Sequence, residues 1–154
     1  MPSRRDQIRM SDDEIWKFIE GRKSLQVATL NRDGSPHLTT LWFGILEGDI
    51  VFETFTKSQK IVNLKRDPRI AVLVEDGLEY NQLRGVAING HADLYDKPED
   101  VFRYALAVTR KNNPGLTSEQ EQAAAKMMSQ KRTAVVVKAE RIVSWDHRKL
   151  GGRY

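Results

Sequence analysis

The chain has 154 residues, 40% of them hydrophobic and 30% charged, which suits one folded globular unit over 1–154 and excludes a disordered polymer. It contains no cysteine, so disulfides, thiolate catalysis and cysteine-held metal centres are excluded, and its three histidines, His37, His91 and His147, are too scattered to suggest another metal site. The formal charge of +4 permits an anionic ligand without demanding one, and no apolar run approaches the ~20 residues that span a bilayer. No apolar segment follows Met1-Pro2-Ser3-Arg4-Arg5-Asp6, so no secretory signal is expected and the expected location is cytoplasmic.

In chain order, Ser11-Asp12-Asp13-Glu14 has the form of a capping box. It opens a short helix with Ile15, Phe18 and Ile19 on one face, ending near Gly21. Strands are predicted over 24–30, 36–45 and 50–55, joined by turns at 31–34 and 47–49, which reads as a meander. Ser58 can cap a helix carrying Ile61, Val62 and Leu64 that stops before Pro68. Strands follow at 69–75 and 82–94, the second with a bulge or bend at Gly85 or Gly90. Asp96 is predicted to cap a helix presenting Val101, Tyr104, Ala105 and Val108, broken at 112–115. Ser118-Glu119-Gln120-Glu121 opens a further helix to about Gln130, and strands at 133–138 and 141–145 close the chain. Six or seven mostly antiparallel strands with peripheral helices predict a mainly β barrel with some α. Its core is modest, so a second copy covering one side is expected.

The most informative segment runs from Phe52 to Arg69. It carries Lys57, Lys60, Lys65, Arg66 and Arg69 against Glu53 and Asp67, with hydroxyls at Thr54, Thr56 and Ser58. A strand there runs directly into a helix start, where free backbone N–H groups and the positive end of the helix dipole favour an anion. Lys57 precedes that start, and Lys60 and Asn63 lie in its first turns. A phosphate could sit where these donors converge. A solvated basic helix with an ordinary serine cap is the competing reading.

Thr29, Asp33-Gly34-Ser35-Pro36, Leu41-Trp42-Phe43, Ser58-Gln59-Lys60, Asn63 through Arg69 and Arg84 through Ala92 occur in an order and spacing that resembles the pyridoxamine 5'-phosphate oxidase-like split β-barrels. The resemblance covers residues 11–95 well and the remainder loosely. It implies a homodimer with two cofactor sites at the interface. It implies phosphate contacts from Ser58 and Lys60, joined by Lys57, Asn63 and the hydroxyl of Thr56. It also implies ring contacts from Thr39, Thr40, Leu41 and Trp42, with strand alternation deciding which pair faces in.

The segment Asn63–Arg69 and the ending Ser144–Leu150 look most like the branch that binds the deazaflavin coenzyme F420. Flavin mononucleotide (FMN) oxidases tend to carry Gln where this chain has Gly85, and their C-terminal arginine stretch for pyridoxal phosphate has no convincing match. Gly85 is expected to leave room for a different cofactor pose, and Lys65, Arg66 and Arg69 to meet a polyglutamate tail. The resemblance thus implies an F420-dependent oxidoreductase passing hydride to an unsaturated small organic substrate, with no compulsory acid–base residue. FMN on the same fold, or a non-catalytic deazaflavin carrier, are the alternatives. Nucleic acid is not an expected partner, because the basic residues lack interleaved aromatics. His37 reads as a surface histidine or a proton donor, Tyr80 as a loop residue or a substrate-side hydroxyl. Trp42 reads as a core or interface aromatic as well as a ring contact, and Trp145-Asp146-His147 as a packed tail or a lid. Ala123 through Met128 reads as a helix face on the core.

Overall fold

A computed structural model describes residues 1–152. The last two residues of the expected unit, Arg153 and Tyr154, lie outside the described residues. The elements in chain order are α1 (Arg4–Ile8), α2 (Asp12–Glu20), β1 (Ser24–Leu30), β2 (Pro36–Trp42), β3 (Gly44–Leu46), β4 (Asp49–Phe55), α3 (Gln59–Arg66), β5 (Arg69–Asp76), β6 (Arg84–Tyr95), α4 (Pro98–Asn112), α5 (Ser118–Met128) and β7 (Arg132–Asp146). Short 3-10 turns stand at Tyr80–Gln82 and His147–Leu150. No helix is long and apolar enough to cross a membrane, among the described residues.

The strands form one antiparallel sheet in the order β2-β1-β5-β6-β7-β4-β3. β2 and β3 are its two edges, yet Phe43 alone separates them in sequence. A sheet whose edges are joined by one residue has to curl round on itself, and this is the expected split barrel. Both hairpins of the expected meander form, β1 with β2 and β3 with β4, but the expected strand 36–45 breaks at Phe43, so the two hairpins lie at opposite edges and β4 also pairs with β7, whose residues lie some eighty positions later. The break at Phe43 is held from α4. The Asn112 side-chain amide donates to the Phe43 carbonyl at 2.8 Å, and the Lys111 ammonium lies 4.0 Å from the centre of the Phe43 ring. Gly44 lets α4 approach, since a β-carbon there would come within 2.8 Å of the Ala107–Val108 backbone.

Alternation along the strands separates an inner and an outer face. Leu25, Val27, Ile70, Val72, Val74, Val86, Ile88, Ile50, Phe52, Val135 and Val137 turn inward and form the main core. α2 adds Ile15, Phe18 and Ile19 to it, as its capping box and apolar spacing predict. α3 adds Ile61 and Leu64 near the far ends of β1 and β4. On the outer face of β3, β4 and β7, α4 covers Val51, Ala134 and Val136 with Val101 and Tyr104. The outer face of β2 has no such cover among the described residues: Leu38 is 70% and Trp42 48% exposed.

Several local expectations shift. α1 with its own capping box (Ser3, Asp6) precedes the helix read from sequence. The segments 133–138 and 141–145 are one strand, with a bulge against β6 at Asn89–Gly90. Gly90 belongs there, because a β-carbon would meet the Lys138 carbonyl at 1.9 Å. Asp96 does not cap α4: Lys97 holds that position with Pro98 after it, and Asp96 accepts from the Thr133 hydroxyl instead. The second box is Thr117 with Gln120, one residue earlier than expected.

Candidate cofactor site

The turn from β4 into α3 places the segment the sequence singled out. Ser58 has extended backbone and occupies the N-cap position of α3, but its hydroxyl makes no cap hydrogen bond. That corrects the expected serine cap. The Ser58 Oγ is instead buried without any partner among the described residues. The first N–H groups of a helix have no intrahelical acceptor, and here the cap side chain supplies none.

Lys60 stands in the first turn of the helix. Its ammonium reaches only the Thr54 hydroxyl, at 3.5 Å, and has no carboxylate partner among the described residues. Burial lowers its pKa from the ordinary lysine value. Thr54 itself is 8% exposed and lies on the inner face of β4, opposite Thr133. A half-buried ammonium, an unpartnered hydroxyl and unfilled backbone donors at a helix start therefore gather at one end of the barrel. This donor set suits a phosphate monoester or diester, which offers several strong acceptor oxygens.

Edge strand β2 approaches the same end. His37, Thr39 and Leu41 face inward, paired across from Thr29, Val27 and Leu25, whereas Leu38, Thr40 and Trp42 face out. Thr29 is tied to α3 through the Asn63 amide at 3.1 Å, so the inner face of β2 at His37 and Thr39 lies toward α3. His37 and Gln59 line one shallow depression with Asn31, Arg32 and Asp33. His37 Nδ1 and Thr39 Oγ1 are buried without partners, like Ser58 Oγ. Alternation thus selects Thr39 and Leu41 as the inward pair. Leu41 packs against the core, while Thr40 is exposed and the Lys23 ammonium lies 5.2 Å from the Trp42 ring.

Other expected contacts have different surroundings. Asn63 is fully buried and joins the end of β1 to α3, with hydrogen bonds from its amide to Thr29 and Asn31 and one received from Gln59 at 2.8 Å. It holds the site and does not open onto it. The Thr56 hydroxyl pairs with that of Thr133 at 2.9 Å, which in turn donates to Asp96. Lys57 is exposed on the turn without an ion-pair partner among the described residues. Lys65 pairs with Asp96 at 3.5 Å, Arg66 donates to the Leu30 carbonyl, and Arg69 pairs with Asp67 at 2.7 Å. Each of the three cations expected to meet an acidic tail thus has a partner within the chain.

The room expected at Gly85 is filled. Its absent side chain makes way for the Trp145 indole, which a β-carbon on Gly85 would approach to 2.1 Å. Sequence reasoning missed this pair, although the register that sets Gly85 opposite Trp145 is long-range and has no local signal.

The sequence profile described as pyridoxamine 5'-phosphate oxidase matches residues 11–146. A crystal structure of a conserved hypothetical protein from Mycobacterium tuberculosis is 41% identical, covering 99% of this chain and 95% of that one, with a TM-score of 0.89. A structure described as an F420 reductase is 24% identical, with a TM-score of 0.62 over 82% of this chain and 93% of that one. The haem storage protein HutZ from Vibrio cholerae is 15% identical, with a TM-score of 0.68 over 86% of this chain and 94% of that one. The last two likenesses concern the fold alone. No curated protein matches the chain. The chain belongs to the pyridoxamine 5'-phosphate oxidase family.

Proposed function

We propose that the chain is a deazaflavin-binding oxidoreductase that uses coenzyme F420 and works as a homodimer on an unsaturated small organic substrate. The observation that carries this reading is the Lys60 ammonium, half-buried without a counter-charge, beside the unpartnered Ser58 hydroxyl at the start of α3. Lys60 and Ser58 would hold the cofactor's phosphate, with Lys57 near by. Thr39 would offer its hydroxyl along the inner face of β2. When bound, the deazaflavin supplies the hydride; the chain supplies position and a dry, apolar wall. Asn63 keeps α3 in register with β1, so that Lys60 stays aimed at the site.

A second chain completes the arrangement. Lys60 sits by Thr54, near the Tyr95 end of β6, whereas Gly85 lies ten positions back along that strand, roughly 30 Å away. The resemblance sets the Gly85 position beside the ring, and one chain cannot bring both positions to one cofactor. Two chains related by a two-fold axis can. The exposed Leu38 and Trp42 on the uncovered face of β2 favour such a neighbour.

The fold is shared with a structure described as an F420 reductase, and the resemblance of the Asn63–Arg69 segment to the F420-binding branch puts the deazaflavin first, with FMN on the same fold as the runner-up. Parallel absorbance and tryptophan-quenching titrations with F420 and FMN test the order. Tighter F420 binding is expected. FMN binding alone would reverse the choice, and binding of neither would remove the reading. Turnover of an enone or quinone by reduced F420 would separate an enzyme from a carrier.

A further inference from the structure

The opposite end of the barrel carries a second cavity, of about 370 Å3, between α2 and the adjoining ends of β6 and β7. Lys17, Arg22, Arg84 and Arg148 line it, against two carboxylates, Glu14 and Asp146. Met10 and Phe18, 5% and 7% exposed, form the apolar part of a mainly charged wall.

The three guanidinium groups are held by carboxylates. Asp76 pairs with Arg22 at 2.9 Å and also with Arg84, and Arg84 lies 5.0 Å from the centre of the Phe18 ring. Asp146, 8% exposed in its side chain, takes Arg148 through both oxygens, at 2.9 and 2.7 Å. The arginines hold both carboxyls below the usual aspartate range, so these anchors stay charged at neutral pH. A guanidinium has five donors, and these pairings leave most of them unengaged. Glu14 is occupied as well, accepting from the Lys149 ammonium at 2.6 Å and the Ser11 N–H at 2.7 Å. Lys17 has no acidic partner among the described residues.

We infer that this cavity binds a small dianion, a dicarboxylate or a phosphate, between Lys17, Arg22, Arg84 and Arg148. Forked guanidinium donors match both planar carboxylates and phosphate oxygens, and their ion pairs orient them before the ligand arrives. The site is remote from Lys60 of the same chain.

Calorimetric titration of the full chain with sodium succinate and with sodium phosphate, each in chloride of matched ionic strength, tests the inference. Saturable binding of either is expected, the tighter one assigning the ligand class. Lys17→Ala should weaken it roughly tenfold, the effect of losing one charged hydrogen bond. Lys17 is exposed on α2 and alanine is a good helix former, so the fold should be unaffected. Arg148→Gln should weaken binding similarly, while Lys126→Ala on α5 should leave it unchanged. No saturable binding of either anion beyond chloride, or binding indifferent to Lys17→Ala, overturns the inference.

Discussion

Lys60 and Lys65 lie on one short helix, carry the same charge and have opposite surroundings. Lys60 is half-buried, with a single long contact to a hydroxyl; Lys65 is 47% exposed in its side chain and paired with Asp96. The same division runs through the whole basic segment. Its first turn leaves the Ser58 hydroxyl and the Lys60 ammonium without adequate partners, whereas Asn63, Lys65, Arg66 and Arg69 are engaged by Thr29, Asp96, Leu30 and Asp67. A run of positive charge therefore does not mark a site by itself. The unfilled hydrogen-bonding capacity at one end of the run does, because a buried polar group without a partner costs stability unless a ligand supplies one.

The largest effect should come from the residue that separates the two halves. Asn63 has no exposed surface, and Asn63→Ala strands the hydroxyl of Thr29 and the amides of Asn31 and Gln59. A loss of about 3 kcal/mol in urea unfolding is expected, from lost hydrogen bonds and a small cavity. Cofactor affinity should fall with it, since α3 is no longer held to β1. A stable, tightly binding Asn63→Ala protein would show that Asn63 does not organise the helix.

Lys60→Ala isolates the first turn. Affinity for the phosphate-bearing cofactor should drop tenfold to a hundredfold, corresponding to roughly 1.5–3 kcal/mol for a charged hydrogen bond. Melting temperature should hold or rise slightly, because a partly desolvated ammonium is removed. Unchanged affinity would move the phosphate site away from α3.

How far the sequence revealed these elements depends on the range of the interaction. Local signals worked: the Ser11–Glu14 box, the stop before Pro68 and the β1 strand are where composition and caps put them. Signals that require knowing a distant partner failed. Ser58 looks like a cap but does not act as one, Asp96 turns to Thr133 across the chain, and the expected second strand, 36–45, divides at Phe43 into β2 and β3 at opposite edges. The Lys60 site was legible as residue types at a helix start. Its contrast with Lys65 was not, because Asp96 reaches Lys65 from thirty-one residues away. Gly85 illustrates the limit: glycine signalled a close approach, but only the register with β7 identifies Trp145 as what approaches.

Glu53 extends the comparison to the other face of β4. It neighbours Thr54 in sequence but lies on the side that Val51 presents to α4, with its side chain 3% exposed and Arg132 3.6 Å away. Burial pushes its carboxyl up to about 7 despite that arginine. A raised carboxyl pKa favours the folded state while the group is protonated. Its contribution is full below the unfolded value near 4.5, declines as pH rises through about 7, and is absent above. Glu53→Gln cannot ionise, so the variant should gain on the parent by about 1–2 kcal/mol between pH 4.5 and pH 8. Urea unfolding at both pH values measures the difference, and a gap that does not widen with pH would mean that Glu53 is charged and satisfied in the fold.

The smallest effect is expected at Lys65, and it is the one that makes the contrast decisive. Lys65→Ala removes the same charge from the same helix as Lys60→Ala, and so controls for the general field that any lysine adds near an anion. The Lys65–Asp96 pair is about half exposed on both sides, 47% and 56%, and spans 3.5 Å, a geometry in which exposed ion pairs contribute roughly 0–1 kcal/mol. Alanine's better helix propensity offsets part of even that. Stability should therefore change by less than about 0.5 kcal/mol, with the residual effect vanishing in high salt. Cofactor affinity should fall by less than about twofold, because Lys65 is screened by solvent and already neutralised by Asp96. Titrating both variants at two salt concentrations separates the outcomes. If Lys65→Ala weakens binding as much as Lys60→Ala, and high salt erases both effects, the helix acts through its total charge and the first turn has no special role. If only Lys60→Ala is weak at high salt, the unpaired ammonium beside Ser58 is the contact.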